Sequence, residues 1–194
     1  MKRIFDTVLV VLLSPFWLPV FLLTAVTVLL CLGWPIFYCD RRAGLRGRPF
    51  TLLKFRTMKT GAGSDAERMT RLGSFLRRFS LDEVPELFNV LLGDMALVGP
   101  RPLPVRYLER YSPFEMRRHE VRPGITGWAQ VNGRNALDWS EKFKLDVEYV
   151  GRRSLLFDLR ILFMTVRTVL SARGISHGAE ATMPELMPRG SAES

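Results

Sequence analysis

Two adjacent acidic residues, Asp82 and Glu83, are the feature of this 194-residue sequence most suited to chemistry. One carboxylate of such a pair can act as a nucleophile, while the other holds Mg²⁺ or orients a substrate. The pair also has a structural explanation, because Ser80 and Glu83 have the spacing of a capping box. Acidic side chains at a helix start also complement the helix dipole. The pattern therefore predicts a helix start that accounts for Ser80 and part of Glu83, and it leaves Asp82 as the unusual member.

Basic side chains suited to phosphate surround this pair in the sequence. Residues 41–79 hold 11 basic and 2 acidic residues, whereas the segments before and after them are each neutral overall. Arginine keeps its charge when desolvated, and its planar fork fits phosphate oxygens. The glycine-containing loops at 122–127 and 132–135 allow backbone N–H groups to approach an anion. We therefore predict a phosphate site drawn from Lys54, Arg56, Arg77, Arg101, Arg122, Gly124 and Asn132.

An apolar segment comes before all of these residues. No charged residue lies between Thr7 and Cys39, and a bilayer core needs only about 20 residues of helix. Ser14 and Pro15 interrupt the segment early, and proline bends a helix because it lacks a backbone N–H. Basic residues flank both ends, so the positive-inside rule does not place the ends on opposite sides. Residues 1–38 are therefore either one spanning helix or a kinked helix that returns to the same face of the membrane.

The elements that must position the acidic pair form an α+β pattern that is mostly helical, with a small β-hairpin. Residues 36–39 and 50–55 have the composition of short strands, and the turn-rich stretch 41–49 separates them. Helices are predicted over 66–79 and 84–92. Loops rich in proline or glycine are predicted at 97–104 and 122–127.

The C-terminal part of the chain contains one further helix. Residues 154–172 are apolar at helical spacing, which fits either a core helix or an amphipathic helix in the membrane interface. The stretch 179–194 is small and polar and contains proline, so we expect a loosely ordered tail. The sequence therefore divides into a membrane helix at 1–38, a catalytic domain at 39–178 and this tail.

Two long motifs resemble signatures of the bacterial sugar transferases: SLDEVPELFNVLLGDMALVGPRP at 80–102 and RPGITGWAQVNGRN at 122–135. Together with Ser14, Pro15 and the KFRTM motif at 54–58, they make the chain similar to the small monotopic phosphoglycosyl transferases. Members of that group move a sugar-1-phosphate from a UDP-sugar to polyprenyl phosphate. The resemblance thus implies an enzyme of glycoconjugate assembly with these two substrates.

The resemblance also assigns roles to individual residues. Asp82 matches the nucleophile, which forms a covalent phosphosugar intermediate and releases UMP, and Glu83 matches its partner in the catalytic dyad. Mg²⁺ is the implied cofactor, with Asp82 and Glu83 as its ligands. Ser14 and Pro15 match the break that makes the membrane helix re-entrant, with amphipathic helices in the membrane interface.

The same resemblance implies a cellular setting. It predicts a protein on the cytoplasmic face of the bacterial inner membrane, surrounded by membrane lipids and in contact with downstream glycosyltransferases. It predicts no nucleic-acid partner.

Two other function classes fit parts of the sequence. The basic region alone permits a membrane-tethered module that binds nucleic acid or anionic lipid, with salt-sensitive binding and no turnover. Asp82 would also serve a metal-dependent phosphatase as phospho-acceptor, with water in place of a prenyl phosphate. The three classes differ in whether a UDP-sugar is cleaved and in which acceptor receives its phosphate.

Overall fold

The computed structural model describes residues 1–133, 137–171 and 185–187. The helices are α1 Lys2–Leu12, α2 Ser14–Leu32, α3 Asp65–Arg68, α4 Arg71–Arg78, α5 Glu86–Leu92, α6 Pro113–Met116, α7 Trp128–Val131, α8 Trp139–Arg152 and α9 Leu155–Ser171. The strands are β1 Phe37–Ala43, β2 Pro49–Phe55, β3 Ala96–Val98 and β4 Gly124–Thr126. Short 3₁₀ turns lie at Leu45–Gly47, Leu81–Glu83, Val105–Arg110 and Arg117–Glu120. This mostly helical α+β fold confirms the predicted class.

The apolar segment forms two helices with one break between them. α1 ends at Leu12 and α2 begins at Ser14, so the break falls at Leu13, just before the predicted Ser14 and Pro15, which form the first turn of α2. The Trp17 indole N–H donates to the Val10 carbonyl at 2.9 Å and so bridges the break. Within the described ranges, α2 is the one helix long and apolar enough to cross a membrane, with a mean hydropathy of 2.2.

The start of α1 is bonded to the domain that follows it. Lys2 Nζ lies 2.5 Å from Asp158 Oδ2, and Asp158 is buried on α9. Arg3 donates to the carbonyls of Val90 and Leu91 at 2.9 and 3.0 Å, near the C-terminus of α5. A cation at a helix C-terminus is favoured by the helix dipole and by the unpaired carbonyls there.

The end of α2 is bonded to the same domain through Arg56. This buried side chain donates to the carbonyls of the last helical residue and the two residues after it, Leu32, Gly33 and Trp34. Aromatic contacts reinforce the attachment, since the Phe21 ring packs against Phe55 with the ring centroids 5.2 Å apart. Both ends of the apolar segment are therefore fixed to one domain.

The predicted hairpin is present but longer than expected. β1 pairs with β2 in antiparallel register from Phe37 opposite Phe55 to Ala43 opposite Pro49. The expected turn over 41–49 was therefore wrong at 41–43, because Arg41 and Arg42 continue the strand. Successive side chains point to opposite faces of the strand, so Arg41 is exposed, whereas Arg42 is partly buried and pairs with Asp40 at 2.7 Å.

A second, parallel strand pair forms where the sequence predicted loops. β3 and β4 pair with Ala96 opposite Gly124 and Val98 opposite Thr126. A Cβ at Gly124 would lie 2.1 Å from the backbone nitrogen of Gly99, so this close approach requires glycine. The loop prediction for 122–127 was thus wrong at 124–126, where glycine permits strand pairing.

The helix predicted over 66–79 is divided into α3 and α4. Met69 is extended and pairs with Met58 in an isolated bridge, while the Thr70 hydroxyl accepts from the Gly73 N–H and caps α4. Tertiary pairing and a local cap therefore outweigh the apolar periodicity that runs through this segment.

The α9 helix has one face in the core and one apolar face that is exposed, so the core-helix alternative for 154–172 holds and an interfacial role for the exposed face stays a prediction. Phe157 and Ile161 are buried in the main core with Val98 and Tyr149. The opposite face of α9 exposes apolar side chains, namely Leu156, Leu159, Phe163 and Val166. The described residues do not include Arg134 and Asn135 of the second motif, residue 172 or most of the expected tail. Within the tail, Glu185 is described and lies 3.1 Å from Arg106 and 3.0 Å from Arg110.

Replacing Tyr149 by phenylalanine should destabilise the fold. The buried Tyr149 hydroxyl lies 2.7 Å from Asp158 Oδ1 and 3.0 Å from the Val98 carbonyl, so it joins α8, α9 and β3. We expect the free energy of unfolding, measured in detergent with a denaturant, to fall by about 1–3 kcal/mol. Tyr38→Phe, at an exposed position on β1, is the matched control, and equal effects of the two substitutions would contradict this role.

Candidate active site

The turn that carries the acidic pair does not begin with the expected capping box. Ser80 has a left-handed backbone conformation, φ 55° and ψ 25°, and its side chain makes no capping hydrogen bond. Glu83 bonds instead to side chains from two other segments. The capping-box interpretation of Ser80 and Glu83 was therefore wrong, because charged tertiary partners replace the backbone N–H of Ser80.

Glu83 is the centre of a shared ion pair. Its Oε1 accepts from Lys54 Nζ and from an Arg101 terminal nitrogen, each at 2.7 Å. Burial would raise the pKa of Glu83, but Arg101 and Lys54 together hold it well below its ordinary value. Glu83 is therefore ionised and joins β2 to the loop that follows β3.

Glu86 is a third carboxylate in this cluster, and the sequence analysis did not single it out. It is 2% exposed, and its Oε1 lies 3.0 Å from Lys54 Nζ. Burial raises the pKa of Glu86 to about 7, against the opposing attraction of Lys54. Burial also lowers the pKa of Lys54, but Glu83 and Glu86 outweigh that effect and raise it, so the ammonium stays charged.

Asp82 differs from its neighbours because it lacks a direct partner. It is 8% exposed, and none of the described residues forms a hydrogen bond or ion pair with its carboxylate. Burial and the adjacent Glu83 charge raise its pKa, while Lys54, Arg77 and Arg101 act in the opposite direction. Asp82 is thus a desolvated carboxylate that three cations influence without neutralising it by contact.

Arg77 precedes the acidic pair in the sequence and Arg101 follows it, and each is held in place by its own hydrogen bonds. The Arg101 carbonyl accepts from Arg118 at 2.7 Å, and the buried Arg118 is itself paired with Asp146 at 2.8 Å. Arg77 lies at the end of α4, and its Nε donates to the Thr57 hydroxyl at 3.1 Å. Of the predicted phosphate-binding residues, Lys54, Arg77 and Arg101 are those that the fold brings to Asp82.

The other predicted phosphate-binding residues are engaged elsewhere. Arg56 bonds to the C-terminal carbonyls of α2, and the Arg122 Nε donates to the carbonyl of Gly93, just past α5, at 2.8 Å. Gly124 is buried within β4, and Asn132 donates to the Trp128 carbonyl at 2.7 Å. The structure therefore does not group these four residues with Asp82.

Asn89 positions the helix that follows the acidic pair and was also missed. Its side-chain amide donates to the Thr51 carbonyl at 2.8 Å, and its oxygen accepts from the Leu53 N–H at 3.1 Å. These bonds fasten α5 to the outer edge of β2, next to Lys54. Glu83, Glu86 and Asn89 recur every three residues in an apolar segment, and this polar stripe was the signal available in the sequence.

The arrangement can support nucleophilic attack on a phosphorus atom. A carboxylate at the start of a helix, with cations on several sides, can receive a phosphate that brings its own negative charge. Within the described part of the chain, no group of three His, Cys, Asp or Glu side chains is placed to hold a metal ion.

Sequence comparisons agree with the geometry. The sequence matches the family described as bacterial sugar transferase over residues 1–172. The uncharacterized sugar transferase EpsL of Bacillus subtilis (strain 168) is 48% identical over 188 residues, which cover 94% of this chain and 93% of that protein. The chain therefore belongs to the bacterial sugar transferase family, which confirms the resemblance drawn from its two long motifs.

Two longer relatives have more specific names. The UDP-glucose:undecaprenyl-phosphate glucose-1-phosphate transferase of Escherichia coli (strain K12) is 42% identical over 86% of this chain. The UDP-N-acetylgalactosamine-undecaprenyl-phosphate N-acetylgalactosaminephosphotransferase of Aeromonas hydrophila is 39% identical over 89% of it. The matched regions span 39% and 44% of those two proteins.

Replacing Glu86 by glutamine should remove a pH-dependent contribution to stability. The folded pKa of about 7 lies above the ordinary value of 4.5, so the folded state binds more protons between these values. The contribution of Glu86 to wild-type stability therefore falls as the pH rises through this window and is constant above it. Glutamine does not titrate, so the variant lacks this contribution. We therefore expect the difference in unfolding free energy, Glu86→Gln minus wild type, to rise by about 1–3 kcal/mol between about pH 5 and about pH 8. A difference that stays flat in denaturant titrations would contradict the raised pKa.

Proposed function

We propose that this protein transfers a sugar-1-phosphate from a UDP-sugar to a polyprenyl phosphate and releases UMP, through a covalent intermediate on Asp82. The observation that carries the proposal is the Asp82 carboxylate itself, which is buried beside three cations and paired with none of them. Membership in the bacterial sugar transferase family supports this class of reaction. The two relatives named for undecaprenyl-phosphate transfer support the choice of acceptor.

The reaction would proceed in two displacements at one phosphorus atom. An Asp82 carboxylate oxygen attacks the β-phosphorus of the UDP-sugar, and the bond from this phosphorus to the bridging oxygen breaks. UMP leaves with that electron pair, so the enzyme holds an acyl phosphate that still carries the sugar. A phosphate oxygen of the polyprenyl phosphate then attacks the same phosphorus, and the Asp82 carboxylate is released. The product is a polyprenyl diphosphate sugar.

The cations around Asp82 reduce the electrostatic repulsion that opposes this reaction. An anionic nucleophile meets an anionic phosphate in each displacement, so charge neutralisation must contribute much of the catalysis. Arg77 and Arg101 are placed to contact phosphoryl oxygens, and Lys54 supplies a buried charge behind them. The Glu83 carboxylate orients Lys54 and Arg101 before a substrate arrives.

Mg²⁺ fits the residues at this site. Proteins often hold Mg²⁺ by one or two carboxylates together with substrate phosphates. In the described ranges, neither the Asp82 carboxylate nor Glu83 Oε2 accepts a hydrogen bond. We propose that Asp82 and Glu83 hold the ion, which when bound would neutralise charge on the transferring phosphoryl group.

The bonds at the two ends of the apolar segment support a re-entrant membrane helix. Lys2 and Arg3 are bonded to α9 and α5, while Arg56 is bonded to the C-terminus of α2. The start of α1 cannot cross to the opposite side of a membrane while these bonds hold it to the catalytic domain. We therefore propose a protein on the cytoplasmic face of the bacterial inner membrane, with Asp82 near the headgroup depth where a prenyl phosphate lies.

The released nucleotide tests the proposed reaction. Purified protein with Mg²⁺, a polyprenyl phosphate and either UDP-glucose or UDP-N-acetylgalactosamine should release UMP and not UDP. Asp82→Asn should lower the rate by at least about a thousandfold, because the amide lacks the nucleophilic charge. Asp65→Asn, at an exposed position on α3, should leave the rate unchanged. UMP and product are measured by chromatography.

Omitting the acceptor separates the alternatives. A phosphatase would release phosphate products steadily with water as the acceptor, and a binding module would show no turnover. Full activity of Asp82→Asn would overturn the nucleophile assignment.

Cysteine labelling tests the position of the helix ends. Two single-cysteine variants are compared in intact and lysed spheroplasts: Cys31→Ser, which keeps Cys39 on β1, and Cys31→Ser/Cys39→Ser/Ile4→Cys, which reports on α1. Because both ends are bonded to one domain, a membrane-impermeant maleimide should label both variants only after lysis. Labelling of the Ile4→Cys variant in intact spheroplasts would contradict the re-entrant arrangement.

A further inference from the structure

Thr57 is a buried residue whose hydrogen bonds, among the described residues, go to α4 and its N-cap Thr70. It lies two residues beyond the end of β2, within the KFRTM motif, and is 6% exposed. The sequence analysis assigned it no role. Its neighbours are fixed on both sides, because Arg56 bonds to the C-terminus of α2 and Met58 pairs with Met69. Thr57 is therefore a rigid point between the membrane helix and the active site.

α4 packs on Thr57 through three successive positions on one helical face. The Thr70 hydroxyl donates to the Thr57 carbonyl at 3.1 Å. A Cβ at Gly73 would lie 1.9 Å from that carbonyl oxygen, so glycine allows the helix to contact the Thr57 backbone directly. One turn later, the Arg77 Nε donates to the Thr57 hydroxyl at 3.1 Å. The spacing of 70, 73 and 77 places these groups on the same side of α4.

The Thr57 hydroxyl fixes Arg77 without cancelling its charge. Lys54 and Arg101, the other two cations that act on Asp82, are both in contact with carboxylates. Among the described residues Arg77 has no carboxylate in ion-pair contact, and its Nε has a neutral oxygen as its acceptor. A carboxylate in place of that hydroxyl would hold the side chain more strongly but would compete with an incoming anion. The two terminal nitrogens of Arg77 have no hydrogen-bond partner in the described part of the chain and can therefore bind a ligand.

We infer that Thr57 is a positioning residue whose hydroxyl holds the Arg77 guanidinium so that it binds a phosphate of the nucleotide sugar. This inference rests on the proposed function for the identity of the ligand. Arginine has a flexible side chain, and a fork that is already oriented loses less freedom when it binds phosphate oxygens. Thr57 thus contributes to anion binding although it does not itself touch the substrate.

Matched substitutions at Thr57 distinguish the effect of its hydroxyl from the effect of its branched shape. Thr57→Val keeps the branched shape and removes the hydroxyl, whereas Thr57→Ser keeps the hydroxyl. We expect Thr57→Val to bind inorganic pyrophosphate about tenfold more weakly in calorimetry and to lose about tenfold in kcat/KM. Thr57→Ser should stay within about twofold of wild type, and Thr60→Val, at an exposed neighbouring position, should match wild type.

A double variant tests the route through Arg77. If the hydroxyl acts by holding Arg77, adding Thr57→Val to Arg77→Gln should cause no further loss of pyrophosphate affinity. Additive losses, an unchanged Thr57→Val, or an equal loss in Thr57→Ser would each overturn the inference. Failure of wild type to release UMP from any UDP-sugar would overturn the proposed function alone, because the pyrophosphate titration tests Thr57 without turnover.

Discussion

The Glu83 carboxylate, shared between Lys54 and Arg101, is the interaction on which the rest of the site depends. One Glu83 oxygen joins β2 to the loop after β3 and fixes two cations beside Asp82, the preceding residue in the chain. Because Glu83 takes these direct contacts, Asp82 has no ion-pair partner among the described residues although it is buried in the same cationic surroundings. The fold thus divides two adjacent carboxylates into one that organises charge and one that is free to react.

The sequence was sufficient to predict the α+β class and a helix break within one residue of Ser14, because these depend on local patterns. It also made Asp82 and Glu83 the candidate catalytic residues. It was insufficient to distinguish the arginines near Asp82 from those that bond to helix C-termini. Arginine binds phosphate and helix C-terminal carbonyls by the same N–H groups, so Arg56 and Arg122 were grouped with Arg77 and Arg101. Only the packing of α2 and α5 shows which arginines cap helices and which face Asp82.

The capping-box interpretation failed for a related reason. Ser80 and Glu83 have the required spacing, but the motif assumes that Glu83 has no stronger partner than a backbone N–H. Lys54 lies 29 positions away in the sequence, and the bonds from Asn89 to β2 bring it within reach. Long-range contacts of this kind cannot be read from spacing, although the polar stripe through Glu86 and Asn89 indicates which helix face makes them.

The central claim is that Asp82 carries the sugar phosphate between the two substrates. The most direct measurement is the intact-protein mass after incubation with Mg²⁺ and a UDP-sugar in the absence of polyprenyl phosphate. The intact mass should increase by that of one sugar phosphate, and digestion should place this adduct on the peptide that contains Asp82. The adduct should disappear on addition of the acceptor and be absent from Asp82→Asn. Rapid UMP release in which no adduct forms, or an adduct on another residue, would contradict the account.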